Sequence, residues 1–128
     1  MIVLDASVII AYLDADDEHH ARAEGLLARE IDDEFGANSL TLAEVLVAPT
    51  RENRLEDARA VLHDLEVQEL PLPPETAVKL AQVHALTNVK MPDCCVLLAA
   101  EHLVARIGSF DDRLLRAAAT RNLEALEH

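Results

Sequence analysis

A chain of 128 residues, 51% hydrophobic and 27% charged, has the size and balance of one domain able to bury a core without disulfide support. Twenty-four acids against eleven bases give a formal charge of −13, a surface that repels nucleic-acid phosphates at long range, so any nucleic-acid role has to be local. No apolar run approaches the ~20 residues of a membrane span. The first residues lack a basic secretory signal, and two adjacent cysteines, Cys94 and Cys95, make no disulfide framework, which together point to a soluble protein of the reducing cytoplasm.

Alanine and leucine dominate and glycine is scarce, so helix is favoured on propensity. Tyr12, Phe35 and Phe110 are the only aromatics, too few for a base-stacking platform. Ile2-Val3-Leu4 is an apolar run ending at Asp5 and giving way to Val8 through Leu13, a buried strand feeding a buried helix. Residues 17–30 place Ala23, Leu26 and Leu27 on one stripe, with His19, His20, Arg22 and Glu24 around it, predicting a more exposed helix. Phe35-Gly36-Ala37-Asn38 is a second short strand, after which Ser39 or Thr41 caps a helix through Leu42, Val45 and Leu46 that Pro49 interrupts or bends.

Leu55, Ala58, Leu62 and Leu65 define an amphipathic helix, and residues 67–70 an edge strand. Pro71-Leu72-Pro73-Pro74 is a rigid connector into a helix carrying Ala77, Leu80, Ala81 and His84 on one face. Pro92 opens a helix through Cys95, Val96, Ala99, Ala100 and Leu103 that is apolar all round and therefore central. Residues 106–109 are a minimal strand, 111–119 a last helix and 123–126 a final strand, while Leu126-Glu127-His128 reads as an expression-tag remnant. Strands alternating with helices imply right-handed crossovers and a mostly parallel sheet covered on both faces. The expected architecture is a three-layer α/β/α sandwich forming a single domain over residues 1–128, with ligands bound at the sheet edge where strand order reverses.

Four acids stand at or near predicted helix starts: Asp5, Glu44, Asp93 and Asp111. Singly, each has a structural explanation, because acids favour helix N-termini and Thr41-Leu42-Ala43-Glu44 matches a capping box. Together they point elsewhere, since parallel topology brings helix starts to one sheet edge. Carboxylates gathered there repel until they take up protons or a cation. An oxygen-only donor set suits magnesium or manganese, ions that orient phosphates and stabilise in-line displacement at phosphorus.

Val3-Leu4-Asp5-Ala6-Ser7-Val8-Ile9, Leu42-Ala43-Glu44-Val45-Leu46, Pro92-Asp93 before an alanine-rich helix, and Ser109-Phe110-Asp111 ahead of Arg113-Leu114 form an ordered set spanning nearly the whole chain. The set resembles the PIN-domain ribonucleases of the VapC toxin type. The resemblance implies that Asp5, Glu44, Asp93 and Asp111 are metal-binding catalytic acids, with Ser7 and Ser109 as the hydroxyls beside them. It also implies a magnesium- or manganese-dependent endoribonuclease cutting single-stranded regions of RNA, homodimeric, and restrained by a cognate antitoxin with a basic tail. Two departures stand out: Ser109 replaces the more frequent threonine, and Asp112 directly follows Asp111, which is preferred as the fourth acid because it completes the serine-aromatic-acid triplet.

The alternative reading is a catalytically silent module whose acidic pocket receives a basic partner peptide. A small phosphatase is disfavoured by Ser7, which stands where such enzymes need a second aspartate. His19 and His20 read as solvated surface, His84 as a satisfied core or interface histidine, and Cys94 and Cys95 as packing residues. Arg51, Arg54, Arg113 and Arg116 are either a local basic rim or solvated helix positions.

Overall fold

The computed structural model describes residues 1–127 and contains four short strands: β1 (Ile2–Leu4), β2 (Phe35–Asn38), β3 (Gln68–Leu70) and β4 (Arg106–Gly108). They form one sheet in the order β3-β2-β1-β4, and every neighbouring pair is parallel. Between and after the strands lie α1 (Ala6–Leu13), α2 (His20–Arg29), α3 (Ser39–Arg51), α4 (Leu55–Asp64), α5 (Thr76–Thr87), α6 (Met91–Leu103) and α7 (Asp112–Thr120). Because side chains alternate across a strand, Ile2 and Leu4 pack with α1 to α4 while Val3 packs with α5 to α7. This is the expected three-layer sandwich, with a core on each face of the sheet.

The central position of α6 follows from its sequence: Asp93 through Ala100 are buried without interruption. Several boundaries differ from expectation for identifiable reasons. Helix α2 begins at His20 rather than at residue 17, because the Asp17 carboxylate accepts from the His19 N–H and the Asp17 carbonyl from the His20 N–H, forming a turn first. Helix α3 runs through Pro49 to Arg51, so the proline sits near the end of the helix without stopping it. Residues 123–126 make only a bridge between Ala125 and Ile107, with Leu126 donating its N–H to the Ile107 carbonyl at 2.8 Å. Leu126 itself is 5% exposed and packs in the core beside Ile2 and Leu4, a structural position that the tag reading did not foresee. His128, read with it, lies outside the described residues.

Gly36 is required by packing: a Cβ there would lie 2.9 to 3.0 Å from three side-chain carbons of buried Leu70 on the adjacent strand. Gly36→Ala is therefore expected to destabilise the protein by about 1 to 3 kcal/mol, measurable in a urea titration. An unchanged midpoint would mean that Leu70 repacks freely.

Candidate active site

The chain lays down β1, then β2 and β3 to one side, and only later returns to place β4 on the other side of β1. Strand order therefore reverses between β1 and β4, and the carboxyl ends of these two strands define the crevice where parallel sheets bind ligands. Asp5 follows β1 and the segment Ser109-Phe110-Asp111 follows β4, so two of the four acids reach this crevice through topology alone.

Asp5 is 4% exposed and caps α1. Its Oδ1 accepts the Ser7 hydroxyl at 2.6 Å and the Val8 N–H at 3.2 Å, and its Oδ2 accepts the Ser109 hydroxyl. Each serine in turn accepts from the backbone after β4: Ser7 Oγ from the Phe110 N–H at 3.0 Å, and Ser109 Oγ from the Asp111 N–H at 2.9 Å. Two hydroxyls thus tie the start of α1 to the start of α7. Burial raises the Asp5 pKa above its ordinary value; the Ser109, Ser7 and Val8 donors oppose that rise, and the Asp111 charge adds to it.

Asp111 is the N-cap of α7, its Oδ1 accepting the Arg113 N–H at 2.9 Å and the Leu114 N–H at 3.4 Å. Asp112, the competing acid, is exposed in the first turn of that helix. Asp93 lies in the first turn of α6 and is 8% exposed. Its pKa is pushed up to about 6, by burial first and then by the charges of Asp111, Asp5 and Glu44, with Lys90 acting against them. The other three acids therefore all act on the one buried carboxyl of Asp93.

Glu44 requires a correction. The cap of α3 is Asn38, whose side chain accepts from the Thr41 N–H at 2.9 Å, so Thr41 is not the cap and Glu44 lies beyond the first turn. The capping-box explanation for Glu44 falls with it. The residue is exposed on α3, which packs against α6, and its charge reaches Asp93 and Cys95.

The donor set is all oxygen, crowded with negative charge, and suited to a hard divalent cation. Among the described residues no three His, Cys, Asp or Glu side chains stand at the spacing that holds a metal ion directly.

The cysteines are free and buried, and burial raises both thiol pKa values, the opposite of what a nucleophile needs. His84 is satisfied by the Val89 carbonyl at 2.7 Å. His19 and His20 are half-buried rather than solvated: His20 meets the Ala11 carbonyl at 2.7 Å, and the His19 ring centroid lies 5.3 Å from that of Phe110. Arg54 lies 3.8 Å from Glu52 and does not form an isolated basic rim.

Sequence reasoning missed one polar residue at this edge. Asn38, at the carboxyl end of β2 and fully buried, has an amide nitrogen with no partner among the described residues. The signal was present, since a buried amide ending an apolar strand just before a helix is itself a cap.

The chain matches the PIN domain family model over residues 2–120. It belongs to the PIN domain family. No curated protein matches it. Among solved structures, this PIN domain is similar to FitAcB from Neisseria gonorrhoeae, with a TM-score of 0.76, 17% identity, and coverage of 99% of this chain and 97% of that one. It is also similar to a toxin-antitoxin complex from Klebsiella pneumoniae (TM-score 0.73, 15% identity, 87% of each chain). A third similar structure is VapC20 of Mycobacterium tuberculosis, a sarcin-ricin loop cleaving toxin (TM-score 0.70, 17% identity, 91% of this chain and 95% of that one). At such identities these likenesses show the shared fold of the PIN domain.

Proposed function

We propose that this PIN domain is a divalent-metal-dependent endoribonuclease that hydrolyses phosphodiester bonds in single-stranded regions of RNA and acts as the toxin of a toxin-antitoxin pair. The observation that carries the proposal is the buried Asp93 carboxyl, whose pKa is raised first by burial and then by the charges of Asp111, Asp5 and Glu44 from separate segments of the chain. Three like charges add to a carboxyl already penalised by burial, and Lys90 opposes them.

Asp5, Glu44, Asp93 and Asp111 would hold magnesium or manganese, directly or through water. When bound, such an ion polarises the phosphodiester, activates water and offsets charge on the leaving oxygen. Ser7 and Ser109 favour the charged form of Asp5 and fix its two oxygens, while the Arg113 and Leu114 N–H groups fix Asp111.

A basic antitoxin tail is supported by the formal charge of −13 and by a groove of about 550 Å³ beside Glu44, with Ile10, Leu13 and Val61 in its walls and Glu52 and Asp57 among its acids. The homodimer is proposed on resemblance. A cytoplasmic location is supported by the two free buried cysteines; among the described residues, no helix is long and apolar enough to cross a membrane.

Purified protein incubated with structured RNA and manganese should cut at unpaired positions, and a chelator should stop the reaction. Cleavage that survives chelation would refute metal dependence. No cleavage under any divalent cation, with tight binding of a basic peptide, would favour the silent module.

A further inference from the structure

We infer that Asn38 is a positioning residue of the acidic site: its buried amide nitrogen donates to a water that in turn donates to the Asp93 carboxyl, and this bridge aims Asp93 at the cation. The aiming role rests on the nuclease reading above. Asn38 is fully buried, and its Nδ2 has no partner among the described residues. No other buried side-chain nitrogen or oxygen among them is left so. A buried amide donor without an acceptor is costly, and protein interiors commonly satisfy such a group with an ordered water.

The cap fixes which way the amide faces. Its Oδ1 accepts the Thr41 N–H at 2.9 Å, and turning the amide over would set two donors against each other, so Nδ2 is held away from that N–H. Side chains alternate along β2: Phe35 and Ala37 join the core with α1 to α4, so Asn38 projects to the opposite face, where α6 packs on β1 and β2. Its register partner on β3, Leu70, lies in the core on that face.

Two further observations bring this face to the acids. The register pairs Ile2 with Phe35 and Val3 with Gly36; continued, it sets Asn38 beside Asp5, one strand spacing of about 5 Å away. The Asp5 carboxyl is engaged by Ser7, Val8 and Ser109, and Ser109 follows β4, on the side of β1 remote from β2. Helix α6 leads through Val104 and Ala105 into the start of β4, so its first turn, with Asp93, lies at the carboxyl ends of the strands, where β2 ends in Asn38. Asp93 feels the charges of Asp5 and Glu44, and these flank Asn38, one after the neighbouring strand and the other on the helix that Asn38 caps. A water between the amide and the carboxyl accepts one hydrogen bond and donates another. It turns the positive end of a dipole toward a site crowded with acids, and outer contacts of this kind orient metal ligands.

The test uses the whole chain and reads the bridge and the ion separately. A high-resolution crystal structure of the metal-free protein should show a water within hydrogen-bond distance of both Asn38 Nδ2 and an Asp93 oxygen. Manganese affinity, measured by calorimetry without RNA, should fall about ten-fold in both Asn38→Ser and Asn38→Ala. Serine keeps a cap oxygen for the Thr41 N–H but is too short to replace the amide, so Asn38→Ser should melt above Asn38→Ala while binding manganese no better. A residue that only caps would leave Asn38→Ser with the full affinity of the unaltered protein, and that result would overturn the inference while the nuclease reading stands. A crystal structure in which no water joins Asn38 to Asp93 would overturn it as well. If the water is present and the unaltered protein takes up no manganese, the aiming role falls together with the nuclease reading and only the bridge survives.

Discussion

Replacing Asp93 with asparagine is expected to make the protein more stable and far less active at the same time. In the folded state the Asp93 carboxyl titrates near 6, against 3.8 for its ordinary value. Above about pH 6 it is charged in both folded and unfolded chains, and the penalty of burying it among Asp111, Asp5 and Glu44 is present in full. As pH falls from about 6 toward 3.8 the folded state binds the proton first, so stability rises over that window and levels off below it. Asparagine removes the charge. The variant should therefore gain on the order of 2 kcal/mol at pH 8, roughly 5 to 10 °C in melting temperature, and the gain should fade on approaching pH 4. On the proposed function cleavage should fall by at least ~100-fold, because the variant would lose a metal ligand, a more severe loss than that of the outer contacts that tune one. Thermal melts at pH 8 and pH 5, paired with a manganese-dependent assay, measure both halves. Identical melting curves for the two proteins at pH 8 would mean that the carboxyl is not under strain.

Ser109→Ala is expected to act in the opposite sense on stability. The Ser109 hydroxyl is fully buried, donates to Asp5 Oδ2 and accepts the Asp111 N–H at 2.9 Å, so its removal strands a buried carboxylate oxygen and a backbone donor together. The loss should be about 2 to 3 kcal/mol near neutral pH. The Asp5 pKa rises further once its strongest opposing donor is gone, so the deficit should shrink as acid protonates Asp5 and the missing donor ceases to matter. Ser7→Ala should cost less, because Asp5 Oδ1 keeps the Val8 N–H at 3.2 Å. Activity of Ser109→Ala should drop roughly 10- to 100-fold through misplacement of Asp5 and Asp111. Urea titrations of the two serine variants at pH 8 and pH 5 give the comparison; equal losses for both would contradict the asymmetry of the network.

The layers and the sheet were legible because the strands are short apolar runs bounded by polar residues, and because helices separate them. Ile2-Val3-Leu4 could hardly be read otherwise, and the buried length of α6 follows from its apolar run. Asp5 and Asp111 were legible as positions after strands, since parallel topology needs no side-chain detail to bring those ends together. What the sequence concealed was hydrogen-bond competition. Asn38 and Thr41 both suit an N-cap, and only the fold decides that Asn38 takes the Thr41 N–H and moves Glu44 out of the first turn. Pro49 within α3, the lone bridge at Ala125 and the burial of Leu126 are likewise settled by tertiary packing. The stack of His19, Arg22 and Phe110 joins residues nearly ninety positions apart and left no local trace.

The most direct measurement of the central claim is a carboxyl-detected NMR titration of Asp93, carried out with and without magnesium. The account predicts a midpoint near 6 in the metal-free protein, shifted to lower pH by magnesium in wild type, with the metal-free midpoint also lowered when Glu44 or Asp111 is replaced by its amide. A midpoint at the ordinary aspartate value, indifferent to magnesium and to those neighbours, would show that the four acids do not form one site.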